Sequence, residues 1–392
     1  MQNQHLSLPR FFLAATALFI LFSLSCSFLS RAASPTPPPQ LEENLISTFP
    51  PESPPAETEE AASNTAASGV QVDYVYTSNL ITIIYPLYGS ILDDFVVVTL
   101  NNQGDNPAEV LVSSEISGYT SQAMDTVTVQ PGETLEVRQN PLLLPEKIDE
   151  LNVEKPAQFH IRVAQLENGE EKTLLEETGE TLVYARRDFP WSIPGFSDPE
   201  VFELIAAMST PNDPAVEALL RQAAEYTSSG IIVSGYGDHV NDDNGSVWDR
   251  LQAVWQAEER DYDLTYISTW VSYAPGSVQR IRLPAEVLEQ RSGNCIELAL
   301  LYAAAAEAMD LEAAIVGVPG HAFVGVRIDQ ENADYYFIET TLVGRASFEE
   351  AVNRASEEFQ DALPHLDAKE SGYGWVTIWD ARQKGILPLP WR

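Results

Sequence analysis

The segment IELALLYAAAAEAM, residues 296–309, constrains the fold more than any other part of the chain. Its alanine and leucine content predicts a helix, and nearly every side of that helix is apolar. A helix without a polar face is stable only when other elements cover it all round. We therefore expect a buried, rigid helix at the centre of a folded domain.

Upstream of this helix, residues 70–188 have the pattern of an all-β domain. Runs rich in β-branched and aromatic residues alternate with turns such as Pro131-Gly132. This spacing predicts a β-sandwich of about seven strands. The segment VQPGETLEV, residues 129–137, resembles the turn between two strands in bacterial immunoglobulin-like sandwiches. We therefore expect an immunoglobulin-like β-sandwich over residues 70–188.

After residue 188 the composition becomes helical. Asp-Pro pairs at 198–199 and 213–214 predict two helix starts, since aspartate caps a helix and proline fits its first turn. The amphipathic stretch GSVWDRLQAVWQAEER, residues 245–260, predicts another helix. Strand patterns lie on both sides of the central apolar helix. We therefore predict an α+β domain over residues 189–392, with its core at about 245–345.

The N-terminus has the pattern of an export segment. Arg10 precedes an apolar stretch over residues 11–24, which suits a signal peptide and is short for a membrane span. The Ser-Leu-Ser-Cys that follows resembles a bacterial lipoprotein signal, in which Cys26 would be the lipidated first residue. Simple secretion and an uncleaved anchor stay open. We expect an export segment over residues 1–26 and an extracytoplasmic protein, lipid-anchored or secreted.

The export segment is followed by a predicted linker over residues 27–69. Clustered Pro, Ser, Thr, Ala and Glu characterise this stretch. A segment of that composition does not bury an apolar core, so it stays extended or disordered. Beside a lipidated Cys26 it would act as a tether.

The charge of the chain excludes one class of partner. There are 22 basic and 58 acidic residues, a formal net charge of −36. A phosphate backbone would be repelled, which excludes nucleic acid. An anionic membrane surface would also repel the folded part, so membrane contact would need the N-terminal lipid or signal segment.

Cys295 is one of only two cysteines, so we expect no internal disulfide and a single thiol in the mature fold. Asn294 is a good helix cap, and Glu297 completes a capping box, which makes Cys295 the first helical residue. A helix N-terminus offers unpaired N–H donors and a positive dipole end, and both favour a thiolate. From this residue alone, a nucleophile and a small buried hydrophobe both stay open.

Two further residues have the chemistry that an activated thiol requires. His321 opens a strand pattern after Pro319-Gly320, and Glu339 ends the next strand pattern. A carboxylate at the end of an apolar strand needs a partner, because burying it unpaired is costly. An imidazole between a thiol and a carboxylate is the arrangement of an activated nucleophile. The alternatives are a core histidine and a strand-end ion pair.

Residues 245–345 resemble the transglutaminase-like superfamily, a branch of the papain-like cysteine enzymes. The resemblance rests on Gly-Asn-Cys at 293–295 opening a helix, on PGHAFVGV in a strand and on FIETT in the next. It implies a papain-like α+β fold in which Cys295 is the nucleophile, His321 the base and acid, and Glu339 the orienting acid. Many members have aspartate at the third position, and glutamate is one methylene longer.

The resemblance implies acyl transfer at an amide carbonyl, with a thioester on Cys295 that water or a second amine resolves. The backbone N–H of Cys295 and the side chain of Gln279 are candidate oxyanion donors. No cofactor and no metal is implied, and the substrate would be a peptide or protein amide. The alternative function is a catalytically silent module that binds a peptide or protein at the cell surface. A structural surface protein is a third possibility.

The acidic stretch GYGDHVNDDNGSVWD, residues 235–249, does not have the spacing of an EF-hand calcium loop. We interpret it as a polar loop before a helix. His160 lies alone in an alternating strand pattern, which predicts a packed or surface histidine and no ligand role.

Overall fold

The structure is a computed structural model that describes residues 58–60, 64–65, 69–236, 246–268, 278–331 and 334–389. The chain divides into two units, Met1–Pro50 and Pro51–Arg392, and every described residue lies in the second. The predicted export segment with Cys26, most of the predicted linker and residues 237–245 of the acidic loop lie outside the described residues. Within those ranges, no helix combines the length and apolar composition that a membrane crossing requires.

The first part of the described chain consists mainly of β-strands. They are β1 Thr58–Glu60, β2 Asn64–Thr65, β3 Val70–Thr77, β4 Asn79–Leu80, β5 Val96–Asn102, β6 Ala108–Ile116, β7 Ala123–Val129, β8 Thr134–Gln139, β9 Lys155–Glu167 and β10 Glu170–Val183. A 3₁₀ turn, Thr82–Leu87, follows β4, and a short helix α1, Pro145–Asp149, precedes β9.

These strands form two sheets that share one apolar core. One sheet has the order β1-β3-β5-β8, with β2 also paired to β3, and the other has the order β4-β10-β9-β6-β7. Val72 and Tyr74 of β3 and Val110 and Val112 of β6 meet in this core, because alternate residues of each strand point inward. Two sheets packed on a common core form a sandwich. Its assignment as immunoglobulin-like stays a prediction.

Two short strands lie within residues 27–69, which the composition predicts to be extended or disordered. β1 and β2 both pair antiparallel with β3, with Glu60 opposite Val75 and Asn64 opposite Val72. An edge of a sheet offers unpaired N–H and C=O groups, so an extended polar segment can add to it without an apolar core of its own. The composition of the segment therefore did not exclude strand pairing.

The second part of the described chain contains both helices and strands. The helices are α2 Asp198–Glu203, α3 Pro214–Ala224, α4 Val247–Arg260, α5 Pro284–Gln290, α6 Cys295–Ala308, α7 Phe348–Asp367 and α8 Ile378–Gln383. The strands are β11 Asp188–Pro190, β12 Thr265–Tyr266, β13 Val278–Arg280, β14 Ser292–Gly293, β15 Ala313–Val318, β16 His321–Arg327, β17 Tyr335–Ile338 and β18 Gly374–Thr377. Two 3₁₀ turns, Leu204–Met208 and Thr340–Leu342, complete the described elements.

Helix α6 is buried on every side from Cys295 to Ala306, as its composition predicts. An antiparallel sheet with the order β17-β16-β15-β18 contacts it through β15 and β16, and α3, α4 and α5 contact it as well. The buried hydroxyl of Tyr302 donates to the backbone carbonyl of Leu251 in α4. A helix enclosed in this way is a rigid support for a residue at its end.

The core around α6 extends into the region predicted as the sandwich. Ile83 and Ile84 in the 3₁₀ turn Thr82–Leu87 belong to the same buried cluster as α6. Strand β11 pairs antiparallel with β13, which lies further along the chain. Apolar contacts therefore cross the predicted boundary at residue 188, and the domain limits stay a prediction. The described chain has the mixed helix and strand content that the sequence predicted.

Candidate active site

Cys295 is the first residue of α6, and two reciprocal hydrogen bonds fix the helix end around it. Oδ1 of Asn294 accepts from the backbone N–H of Glu297 at 3.1 Å. Oε2 of Glu297 accepts from the backbone N–H of Asn294 at 2.9 Å. This is the capping box that the sequence predicts. The thiol-bearing residue therefore lies where a helix has unpaired N–H groups and the positive end of its dipole.

Glu297 also holds the preceding segment against the helix through Arg282. The guanidinium of Arg282 donates Nε–H to Oε1 at 2.9 Å and Nη2–H to Oε2 at 2.6 Å, and its backbone N–H donates to Oε1 at 2.9 Å. The Glu297 side chain is only 3% exposed, so this bidentate contact satisfies a buried charge. No sequence pattern predicts this contact, apart from the presence of an arginine upstream of the helix.

Gly293 has a packing reason to be glycine. A Cβ at this position would lie 2.9 Å from side-chain atoms of Leu298, which is too close for any real side chain. Strand β14, which ends at Gly293, pairs in parallel with β12, and the Ile267 N–H donates to the Gly293 carbonyl at 2.9 Å. The chain before the cap is therefore held on both sides.

His321 and Glu339 meet at the ends of two adjacent antiparallel strands. His321 opens β16, and Glu339 directly follows β17. Nε2 of His321 lies 2.6 Å from Oε2 of Glu339. Cys295 is near enough to the same imidazole to help raise its pKa. Since Nε2 faces the carboxylate, Nδ1 is the ring nitrogen left for the thiol. The structure thus brings together the three side chains that the sequence singled out.

Burial and hydrogen bonding have opposite effects on the pKa values of His321 and Glu339. Burial disfavours the imidazolium, but hydrogen bonds and charges from Cys295 and Glu339 outweigh it and raise the pKa of His321 to about 10. Burial also raises the pKa of Glu339, yet its bonds to His321 and Thr341 hold that pKa below its ordinary value. At neutral pH the two side chains form an imidazolium–carboxylate pair.

Thr341 completes the hydrogen bonding of Glu339. Oε1 of Glu339 accepts from the backbone N–H of Thr341 at 3.0 Å and from its hydroxyl at 2.5 Å. Both carboxylate oxygens therefore have partners, as a buried charge requires. No sequence pattern predicted this role of Thr341. The feature that could have predicted it is the ability of Glu339, as an acidic residue, to cap the turn that follows it.

A second carboxylate lies close to His321. Oε1 of Glu358, on α7, is 4.0 Å from Nε2 of His321, and the Glu358 side chain is 21% exposed. Burial raises the pKa of Glu358, although the charge of His321 opposes this shift. The sequence does not predict this contact, because a glutamate in an amphipathic helix gives no sign of which strand end it faces.

Gln279, the predicted oxyanion donor, lies in β13 and is buried, with 7% of its surface exposed. Its Oε1 accepts from the indole N–H of Trp191 at 3.0 Å. This bond orients the amide, so the opposite atom is the NH₂ group. That group has no acceptor among the described residues. No hydrogen bond links Gln279 to Cys295, His321 or Glu339 within the same residues.

A family model described as the transglutaminase-like superfamily matches residues 283–370. The match includes Cys295, His321 and Glu339, and it confirms the resemblance found in the sequence. Residues 283–370 are therefore a transglutaminase-like segment, which is less than a quarter of the 392-residue chain. No curated protein matches the chain.

Three solved structures show a distant similarity. A protein from Archaeoglobus fulgidus is 8% identical, with a TM-score of 0.18 and coverage of 32% of this chain and 92% of that one. Alpha-2-macroglobulin from Escherichia coli, from domain MG7 to the C-terminus, is 13% identical, with a TM-score of 0.22 and coverage of 55% and 36%. A candidate cysteine protease from Cytophaga hutchinsonii is 12% identical, with a TM-score of 0.22 and coverage of 62% and 73%. At such low TM-scores these likenesses support no inference about this chain.

Proposed function

We propose that the chain is a thiol-dependent acyl-transfer enzyme that acts on amide carbonyls of peptides or proteins. The observation that carries the proposal is the grouping of Cys295, His321 and Glu339, with 2.6 Å between the histidine and the glutamate and with Cys295 near enough to help raise the pKa of His321. The position of Cys295 at a helix N-terminus and the family match add support. A nucleophile in contact with a base that an acid orients is an activated nucleophile.

In this mechanism the Cys295 thiolate attacks the carbonyl carbon, and a C–S bond forms as the carbonyl oxygen takes up the negative charge. The His321 imidazolium then donates its proton to the leaving nitrogen, the C–N bond breaks, and a thioester remains. The neutral imidazole next accepts a proton from water or a primary amine, which attacks the thioester and releases Cys295. Water gives hydrolysis and an amine gives transamidation. Glu339 orients the imidazole and stabilises its charged form.

The oxyanion of this reaction needs hydrogen-bond donors, and we assign the Cys295 backbone N–H and Gln279 Nε2 to that role. A buried donor without a partner costs about 1–3 kcal/mol. This cost is explained if the Gln279 NH₂ group donates to the substrate oxygen, which becomes charged only in the transition state. Three residues beyond Gln279, the Arg282 backbone contacts Glu297 in the first turn of α6. The chain from Gln279 therefore leads to the end of the helix that carries Cys295.

We also propose that the chain acts outside the cytoplasm, with a lipid on Cys26 as its anchor. The support is the N-terminal pattern of Arg10, an apolar stretch and a cysteine. Mass spectrometry of the mature N-terminus tests this part. A lipid adduct on Cys26 as the first residue supports it, and an N-terminus that still begins at Met1 contradicts it.

A second candidate function is peptide or protein binding without turnover. The observation that favours it is the burial of Cys295, which is only 4% exposed. A thiol that a substrate carbonyl does not reach would leave the same surface free to hold a peptide. In that case the Cys295–His321 contact would stabilise the fold and serve no chemistry.

The experiment that separates the two candidates measures turnover with the full-length chain. Peptides with glutamine and other amide groups are incubated with and without a primary amine, and mass spectrometry follows hydrolysis and amine incorporation. We expect activity in the wild type and its loss in Cys295→Ser and His321→Ala. His365→Ala is the matched control, because the His365 side chain is 42% exposed and contacts Glu370. Activity that survives in Cys295→Ser contradicts the proposal, and peptide binding without turnover supports the second candidate.

A further inference from the structure

Three potential metal ligands, one of them His321 itself, lie close together on the Nε2 side of the His321 ring. Nε2 of His321, a carboxylate oxygen of Glu339 and a carboxylate oxygen of Glu358 all lie within 4.8 Å of one another. The separations from Nε2 are 2.6 Å to Glu339 and 4.0 Å to Glu358. One ligand comes from β16, one from the residue after β17 and one from α7, so the packing of helix on sheet creates the cluster.

The spacing of these atoms is close to what a small transition-metal ion requires. Zinc binds histidine nitrogen and carboxylate oxygen at about 2.0–2.2 Å, and a tetrahedral angle then separates two ligand atoms by roughly 3.4 Å. Glu339 would retreat from Nε2 by less than about 1 Å, and Glu358 would approach by a similar amount. Glu358 has room for this movement, because its side chain is 21% exposed.

The contacts of Glu358 are a separate observation in favour of a ligand role. No hydrogen bond to its carboxylate forms within the part of the chain that the structure describes, and His321 at 4.0 Å is its nearest charged partner there. Glu339 differs, because Thr341 holds its other oxygen in place. An oriented carboxylate, a histidine and an adjustable carboxylate form an N/O donor set suited to zinc and similar ions.

We propose that His321, Glu339 and Glu358 bind a divalent transition-metal ion such as Zn²⁺. Binding replaces the Nε2 proton, which leaves to solvent, and inserts the ion between the imidazole and the two carboxylates. Cys295 keeps its place on the Nδ1 side of the ring and is not a ligand. If the proposed acyl transfer is correct, the ion also inhibits it, since the metal-bound imidazole has lost its contact with Glu339. That consequence rests on the proposed function, whereas the binding site does not.

The test is calorimetric titration of the full-length chain with ZnCl₂, in the presence of excess Mg²⁺ to occupy exposed carboxylates of this acidic protein. We expect one zinc site in the wild type, weakened at least about tenfold in Glu358→Gln and in His321→Ala. Glu357→Gln is the matched control, because it makes the same change one residue away at an exposed position of α7. Thermal melts show whether each variant is folded.

Three results would overturn the proposal. If the wild-type protein binds no zinc, the proposed site does not exist. If Glu358→Gln binds zinc as tightly as the wild type, Glu358 is not a ligand. Zinc binding that disappears in Cys295→Ala would place the ion on the thiol and the Nδ1 side instead. None of these titrations depends on turnover, so their failure leaves the proposed acyl transfer intact. Loss of peptide turnover in Cys295→Ser with zinc binding retained would support both proposals separately.

Discussion

Nε2 of His321 lies 2.6 Å from Oε2 of Glu339, although His321 opens β16 and Glu339 follows the end of β17. The antiparallel pairing of β16 with β17 brings the start of one strand beside the end of the other. Thr341 holds the remaining carboxylate oxygen. The glutamate is therefore fixed on both sides, and the sheet determines the direction in which the imidazole faces.

Two substitutions of Glu339 should distinguish the contribution of its charge to activity from the contribution of its length. In Glu339→Gln the carboxylate that stabilises the imidazolium is lost, and we expect kcat/KM for amide turnover to fall by about 10²- to 10⁴-fold. Glu339→Asp keeps the charge but shortens the side chain by one methylene, so a smaller loss of up to about 10²-fold is expected from misplacement of the ring. Equal activity in Glu339→Gln and the wild type would show that the acid has no part in the reaction.

Thr341 and Thr340 form a natural pair for a stability test. Thr341→Val removes the hydroxyl that donates to the buried Glu339 carboxylate, and we expect unfolding to become easier by about 1.5–3 kcal/mol. The buried hydroxyl of Thr340 has no partner among the described residues, so Thr340→Val should leave stability unchanged or raise it. Urea unfolding measures both. Equal effects of the two substitutions would refute the role given to Thr341.

The contact between Arg282 and Glu297 should contribute to both stability and site geometry. Arg282→Met leaves a carboxylate that is 3% exposed without its charged partner, and we expect a loss of about 3 kcal/mol in unfolding free energy. Arg280→Met, at an exposed position two residues away, is the control and should change little. Denaturant titration checks the difference, and comparable effects of the two substitutions would contradict the account.

The raised pKa of His321 predicts how stability depends on pH. The folded chain holds this proton up to a pKa of about 10, and the unfolded chain releases it near the ordinary value of 6.5. The contribution of His321 is therefore complete below about pH 6.5 and is lost progressively as the pH rises towards 10. Unfolding free energy should fall across this window with a slope of at most about 1.4 kcal/mol per pH unit from this proton. His321→Ala should lack that component, and an identical slope in the variant would contradict the assignment.

Much of the site was predictable from local patterns. The cap formed by Asn294 and Glu297 lies within four residues of sequence, and the strand starts and ends that carry His321 and Glu339 follow from alternation and turn residues. The resemblance to the transglutaminase-like superfamily, which has the same order of thiol, imidazole and acid, then implied their convergence. The burial of α6 was also predictable from a local property, because its composition is apolar on nearly every side.

The parts that were missed depend on contacts between distant elements. Arg282, Thr341 and Glu358 lie on a loop, a turn and a helix whose sequences do not show which surface they face. The two isoleucines of the turn Thr82–Leu87 likewise join the core around α6 across a large sequence separation. Burial of one element against another is decided by tertiary packing, and no local period encodes it.

The central claim is that Cys295 is an activated thiol in contact with a His321 imidazolium, and its rate of alkylation tests this most directly. Full-length wild type, His321→Ala and His365→Ala are treated with iodoacetamide at neutral pH, and peptide mapping separates Cys295 from Cys26. We predict that Cys295 in the wild type and in His365→Ala reacts faster than free cysteine. In His321→Ala it should react at least about tenfold more slowly. Equal rates in the wild type and His321→Ala, or labelling no faster than free cysteine, would contradict the account.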